Sequence, residues 1–246
     1  MSISRPEPAL AFFHAGPAPR AFGPRPGALR DGLHLAQGMR VGLFGGSFNP
    51  AHDGHAHVAE TALRRLDLDR VVWLVSPQNP LKDAAETAPL AERMASARRA
   101  ADLAAHGPSM IVSDFETRVG TQWTVDTLRA LVARHPGVRF VWLMGSDNLA
   151  TFHRWRGWPD IMRMMPVAVI ARPGSLLESR TAPTAMRFAD ARLSASQARL
   201  LPGLKAPAWT YLTAPLNHRS STALRAAARA GSPPSGATGD AGARSC

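Results

Sequence analysis

An open parallel β-sheet, doubly wound with helices on both faces, is the fold this sequence predicts. Three observations carry the prediction. Short apolar runs of strand length alternate with longer amphipathic stretches of helical period. The runs are continuously apolar, as strands buried on both faces require. Glycines and polar residues gather directly after the runs, at the strand ends where such sheets bind ligands.

In chain order, residues 1–38 are rich in Pro, Gly, Ala and Arg without a sustained period, and are expected to form a flexible leader. Residues 41–44 read as the first strand. Residues 55–66 read as a helix, with Val58, Ala62 and Leu66 on one face and Ala59 and Leu63 beside them. Residues 71–75 are a second strand. A long helix follows over 90–106, with Pro89 near its start, where the missing N–H costs least. Residues 110–112 are a short strand, and 124–135 a helix whose apolar face is Val125, Leu128 and Val132 with Leu131. Residues 139–144, 167–171 and 209–212 complete the strands. The tail over 226–246 is Ala, Gly, Ser and Pro and is expected to be loose. The expected folded domain is therefore 39–225.

Composition narrows the class of protein. A chain of 246 residues with 45% hydrophobic and 19% charged residues is globular, and not disordered, collagenous or a coiled coil. Its one cysteine, Cys246, excludes an intrachain disulfide and fits a reducing compartment. The net charge of +11 favours polyanionic partners: nucleic acid, anionic lipid or phosphorylated small molecules. The arginines are scattered, without the dense run of a nucleic-acid arm. The apolar patch over 9–13 is too short for a signal peptide, and no stretch approaches the ~20 residues of a membrane helix. A cytoplasmic location is expected, with neither membrane nor nucleic acid as partner; homo-oligomerisation is left open.

The chemistry concentrates in three segments. After the first strand come Gly45, Gly46, Ser47 and Phe48, then His52, Gly54 and His55 at a helix start. The glycines allow close backbone approach, and a helix N-terminus attracts anions. His52 and His55 are three apart and can share one face, where two imidazoles can donate to phosphate oxygens. A metal pair with His57 as third ligand is the competing reading, but the Glu of the H-E-x-x-H pattern is missing and no Cys is nearby. His57 is expected at the surface. Near the far end, Ser220, Ser221, Thr222 and Arg225 offer hydroxyls and a guanidinium at a helix start, although ordinary capping explains the hydroxyls equally well. Between them, Gly145 and Asp147 follow a strand, and Asp147 suits ribose hydroxyls. Trp155 and Trp158 lie three apart on an expected helix, where core packing is the ordinary reading, retained for Trp158.

The run G-x-F-G-x-S-F-x-P-x-H-x-G-H over 42–55 resembles the HxGH nucleotidyltransferase superfamily, a Rossmann-like fold. The segment around Ser220–Arg225 is similar to that superfamily's I-S-S-T-x-I-R, with Arg219 and Leu224 in place of the two Ile. The block from Gly145 to Trp158 resembles the bacterial nicotinate-nucleotide adenylyltransferases. Residues Thr121–Leu128 match that family's S-Y-T-x-x-T-L stretch with Trp123 in place of Tyr, and 76–82 occupy its P-P-H-K loop with Leu81 in place of His. The resemblance spans about 40–225. It implies adenylyl transfer from ATP, with Mg²⁺, to nicotinate mononucleotide. In that reading His52 and His55 face the phosphates; Gly45, Gly46, Ser47, Phe48, Gly145, Asp147, Ser221, Thr222 and Arg225 bind ATP; and Asn79, Lys82, Trp123, Thr124 and Trp155 bind the mononucleotide. Other acceptors within the same superfamily, nicotinamide mononucleotide or phosphopantetheine, are the alternative. A basic nucleic-acid-binding module is a weaker one.

Overall fold

The computed structural model describes residues 32–77, 87–171 and 181–213. Seven parallel strands form one sheet in the order β3-β2-β1-β4-β5-β7-β6. They are β1 (Arg40–Gly46), β2 (Arg70–Val75), β3 (Met110–Ser113), β4 (Arg139–Gly145), β5 (Val167–Ile170), β6 (Arg192–Leu193) and β7 (Trp209–Leu212). The α-helices are α1 (Asp53–Leu66), α2 (Leu90–Asp102), α3 (Phe115–Val119), α4 (Thr124–Arg134), α5 (Ser146–Phe152), α6 (Trp158–Met164) and α7 (Pro183–Arg187).

Strand alternation divides the core in two. Val41, Leu43, Val72, Leu74, Trp142 and Met144 face one side and pack under α4, α5 and α6. Phe44, Trp73, Val75, Val141, Leu143 and Ile170 face the other, under α1, α2 and a 3₁₀ segment over Ala195–Gly203. Both faces are covered, so the strands are apolar at nearly every position, and that continuity is what the sequence displayed. The Rossmann-like doubly wound sheet is therefore observed as expected.

Three boundaries or faces differ from expectation. The helix expected to reach residue 106 ends at Asp102. Ala104 N–H turns back to the Ala101 carbonyl (3.1 Å), Ala105 N–H is taken by the Glu60 carboxylate (2.6 Å), and Leu103 is left 88% exposed. On α4, Val125, Leu128 and Leu131 are buried while Val132 is 39% exposed, so the apolar stripe is narrower than expected. The single helix expected to carry both Trp155 and Trp158 is two: α5 stops at Phe152 and α6 starts at Trp158, with Gly157 (φ +66°) turning the chain between them. Helices α3, α5, α6 and α7 are five to seven residues long, too short to show a period.

Packing also begins before residue 39. Leu33 (0% exposed) and Leu35 join the core on the α4 side, inside the stretch expected to be leader. Leu33→Ala should therefore cost about 2–5 kcal/mol in equilibrium denaturation, as for a buried leucine elsewhere in a core. A cost within 0.5 kcal/mol of zero, about what surface positions show, would mean that this segment adds nothing to the fold.

Candidate active site

β1 is flanked by β2 on one side and β4 on the other. The chain leaves β1 for α1 on one face and leaves β4 for α5 on the opposite face. The two segments diverge at their strand ends, and a crevice opens where the strand order reverses. The residues expected to bind ATP at 45–55 and at 145–147 thus follow two adjacent strands.

The two histidines are built into the start of α1. His52 is the N-cap, 5% exposed, with extended backbone (φ −153°). Its Nδ1 accepts from Gly54 N–H at 3.0 Å, and His55 Nδ1 accepts from His52 N–H at 3.2 Å. This is a reciprocal capping box in which imidazoles replace the usual hydroxyl and carboxylate. A nitrogen that accepts cannot carry the ring proton, so the proton of each ring sits on Nε2. Two N–H donors on rings 3.9 Å apart suit phosphate oxygens. They do not suit a cation, which needs a lone pair at that nitrogen, so the geometry disfavours the metal-pair reading. Among the described residues, no three His, Cys, Asp or Glu side chains converge as metal ligands. His57, expected at the surface, is half-buried, and its Nε2 is enclosed with no hydrogen-bond partner among the described residues.

An aromatic floor supports this turn. Phe48 (φ +46°) stacks on Trp73 at 5.1 Å and meets the His55 ring edge-on at 5.0 Å. A left-handed phenylalanine costs backbone energy and persists only where its surroundings dictate it. Here a ring buried between Trp73 and Phe44 does so. Gly45 has no alternative: a Cβ there would lie 2.4 Å from Trp142 Cη2.

That indole leads to the residues expected to bind the acceptor. Trp155, half-buried, sets its ring edge-on to Trp142 at 6.4 Å and to Phe152 at 5.3 Å. The following residue, Arg156, places its guanidinium 5.3 Å above Trp123. Gly157 presses on Val125, where a Cβ would come within 3.1 Å of its side chain. The turn carrying Trp155 and the start of α4 carrying Trp123 and Thr124 therefore form one wall. No side chain caps α4; the Asp126 and Thr127 amides bond back to the Trp123 carbonyl, and the Thr124 and Val125 amides precede them in the first turn. Trp158 packs edge-on to Phe152 and Phe188, as the core reading expects. Asn79, Lys82, Leu81, Ser221, Thr222 and Arg225 lie outside the described residues.

The sequence reading missed Glu116, on α3. It is 6% exposed, and its carboxyl has no ion pair or hydrogen bond among the described residues. The carboxyl is carried by α3, which contacts β2 and α4. Burial alone pushes it up to about 7. A lone Glu after a strand gives no signal in the sequence.

A cytidylyltransferase-like family model matches residues 43–227. The structure has the corresponding architecture: an α/β Rossmann-like sheet with a glycine- and histidine-bearing turn after its first strand. A protein of Caulobacter sp. (strain K31), named a probable nicotinate-nucleotide adenylyltransferase, is 68% identical over 187 residues, covering 76% of this chain and 97% of the relative. One of the same name from Methylorubrum extorquens (strain PA1) is 54% identical, covering 76% and 99%. The Plasmodium falciparum nicotinic acid mononucleotide adenylyltransferase, solved in complex with NaAD, shares the fold at a TM-score of 0.59 and 15% identity, over 76% of this chain and 82% of that one. The chain belongs to the cytidylyltransferase-like family and, within it, to the nicotinate-nucleotide adenylyltransferases.

Glu116 generates a pH-dependent prediction. An ordinary glutamate titrates near 4.5, so between that pH and about 7 the folded protein holds a proton that the unfolded chain has released. Its contribution to stability is greatest below pH 4.5 and is lost as pH rises through 7. Glu116→Gln should match the parent at pH 4 and exceed it by about 3 kcal/mol at pH 8 in urea denaturation. A difference that does not vary with pH would contradict the assignment.

Proposed function

We propose that this chain transfers the adenylyl group of ATP to nicotinate mononucleotide, releasing pyrophosphate and forming deamido-NAD. The observation that carries the reading is the reciprocal His52–His55 cap, which engages both Nδ1 atoms and leaves Nε2 of each ring as the proton-bearing nitrogen, in the form a phosphate donor requires. The mononucleotide phosphate oxygen attacks the α-phosphorus of ATP in line; the bond from that phosphorus to the bridging oxygen breaks, and pyrophosphate leaves with the electron pair. The attacking oxygen is already anionic, so no strong general base is required, and catalysis rests on positioning and charge stabilisation. His52 and His55 donate to the α-phosphate and to the leaving pyrophosphate.

Mg²⁺ would enter with ATP and neutralise part of the phosphate charge, while the turn at His52 and His55 would supply hydrogen-bond donors and no metal ligands. Asp147 takes the ribose hydroxyls. Trp155 stacks on the pyridine ring, and the uncapped amides at Thr124 receive its carboxylate. Asn79 and Lys82 serve the mononucleotide phosphate, and Ser221, Thr222 and Arg225 the outer phosphates of ATP. No helix among the described residues is long and apolar enough to cross a membrane. The reading places the enzyme in the cytoplasm.

Pyrophosphate release from ATP and Mg²⁺, with the nicotinate and nicotinamide mononucleotides in parallel, tests the reaction. The nicotinate form should give a kcat/KM at least about tenfold higher, because the first-turn amides of α4 favour a carboxylate over a neutral amide. Release with neither would refute the acceptor assignment. The cap allows a cleaner test of the histidine. Asn is as good an N-cap, so His52→Asn should keep the melting temperature within a few degrees and still lower kcat by about 10²–10³, the usual loss for a preorganised donor. Normal turnover in that variant would remove His52 from the mechanism.

A further inference from the structure

Arg93, in the first turn of α2, is 2% exposed. Fully buried arginines are rare and are normally paired with an acid. Among the described residues, Arg93 has no carboxylate partner. Its donors meet four main-chain carbonyls instead. Nε donates to Ala88 at 2.8 Å, Nη1 to Ser47 at 2.8 Å and to Ser76 at 2.6 Å, and Nη2 to Pro77 at 2.7 Å. Burial pulls the guanidinium below its ordinary value, with nothing opposing it. A cation kept here at that cost is using its geometry, because only a planar fork reaches all four acceptors.

The four carbonyls belong to three separate segments. Ser47 lies in the phosphate turn after β1. Ser76 and Pro77 leave β2. Ala88 enters α2. Residues 77 and 88 bracket the stretch 78–86, which contains Asn79 and Lys82. The same contacts are reinforced nearby: Ala88 N–H donates to Asn49 Oδ1 at 3.1 Å, and Ser76 N–H donates to the Gly46 carbonyl at 3.1 Å. One turn along α2, Ser96 Oγ accepts from Ala51 N–H at 3.2 Å. The first turns of α2 thus join the turn from Ser47 to Ala51, the end of β2 at Ser76 and Pro77, and the entry of α2 at Ala88 in one hydrogen-bonded set.

We propose that Arg93 is a positioning residue: it ties the end of β2 at Ser76 and Pro77 and the entry of α2 at Ala88 to the turn after β1, and so sets the geometry in which the two substrates meet. The proposal rests on the reading that the turn after β1 takes the phosphates of ATP for transfer to the mononucleotide. Arg93 itself touches neither.

Arg93→Lys keeps the charge but replaces the fork with one nitrogen; Arg93→Met keeps the bulk and removes every donor. Both are made in the full chain. Hydrogen exchange without substrates comes first, since it does not depend on the reaction. Exchange at residues 47–49, 87 and 88 should rise about tenfold or more while the β4 and β5 amides stay protected, as local opening requires. In steady state, kcat/KM for nicotinate mononucleotide should fall about tenfold or more, while the dissociation constant of ATP alone changes less than about threefold; misplaced reactants cost catalysis more than binding. Unchanged exchange in folded Arg93→Lys would overturn the anchor. Faster exchange with kcat/KM within about twofold of the parent, per folded molecule, would make Arg93 structural only and also overturn the proposal. If Arg93→Met fails to fold, the Lys variant decides. A parent protein that releases no pyrophosphate with either mononucleotide would defeat the functional reading, while the exchange result would still judge the anchor.

Discussion

The hydrogen bond from Gly54 N–H to His52 Nδ1, with its reciprocal from His52 N–H to His55 Nδ1, joins folding to chemistry in the same four atoms. Capping starts α1, and α1 covers one face of the central strands. The same contacts decide which nitrogen of each ring carries hydrogen. A serine or aspartate would cap as well but would bring no second ring nitrogen that carries hydrogen. A histidine held elsewhere could donate but would be free to choose its tautomer. Placing imidazoles at N-cap and N3 removes that freedom, which is the preorganisation that charge stabilisation depends on.

Much of the fold was legible because the physics behind it is periodic. β1, β2 and β4 are buried on both faces and announce themselves as unbroken apolar runs. α1 has enough turns to show its stripe. Legibility ends where an element is short or where a distant contact sets its boundary. α5 and α6 are seven residues each, and the turn between them is made by a left-handed Gly157 seated on Val125. Nothing in the local composition separates them. α2 stops early because Glu60, 45 positions away, takes the amide of Ala105.

The site was legible for a different reason. His52, Gly54 and His55 depart from what a surface helix start ordinarily contains, and Trp155 stands in a spacing that matches a family pattern. Arg93 and Glu116 carry no such mark. Arg93 shares its helix with Arg98 and Arg99, and nothing in the sequence sets it apart from them. Only the fold shows that one of them points inward, to carbonyls from three loops, while the other two are at or near the surface.

Trp142 lies against Gly45 and meets Trp155 edge-on. On the proposed assignment of ATP to the turn after β1 and of the mononucleotide to Trp155, the two sites share this indole as a partition, and neither can be reshaped alone. Trimming Trp155 to admit a bulkier acceptor would free the indole to tilt and leave a gap under the glycine. Enlarging position 45 would drive the indole toward the acceptor. An evolutionary route to a new acceptor would thus have to change residues 45, 142 and 155 together, so acceptor preference in this fold should drift slowly along lineages and then shift in coordinated steps.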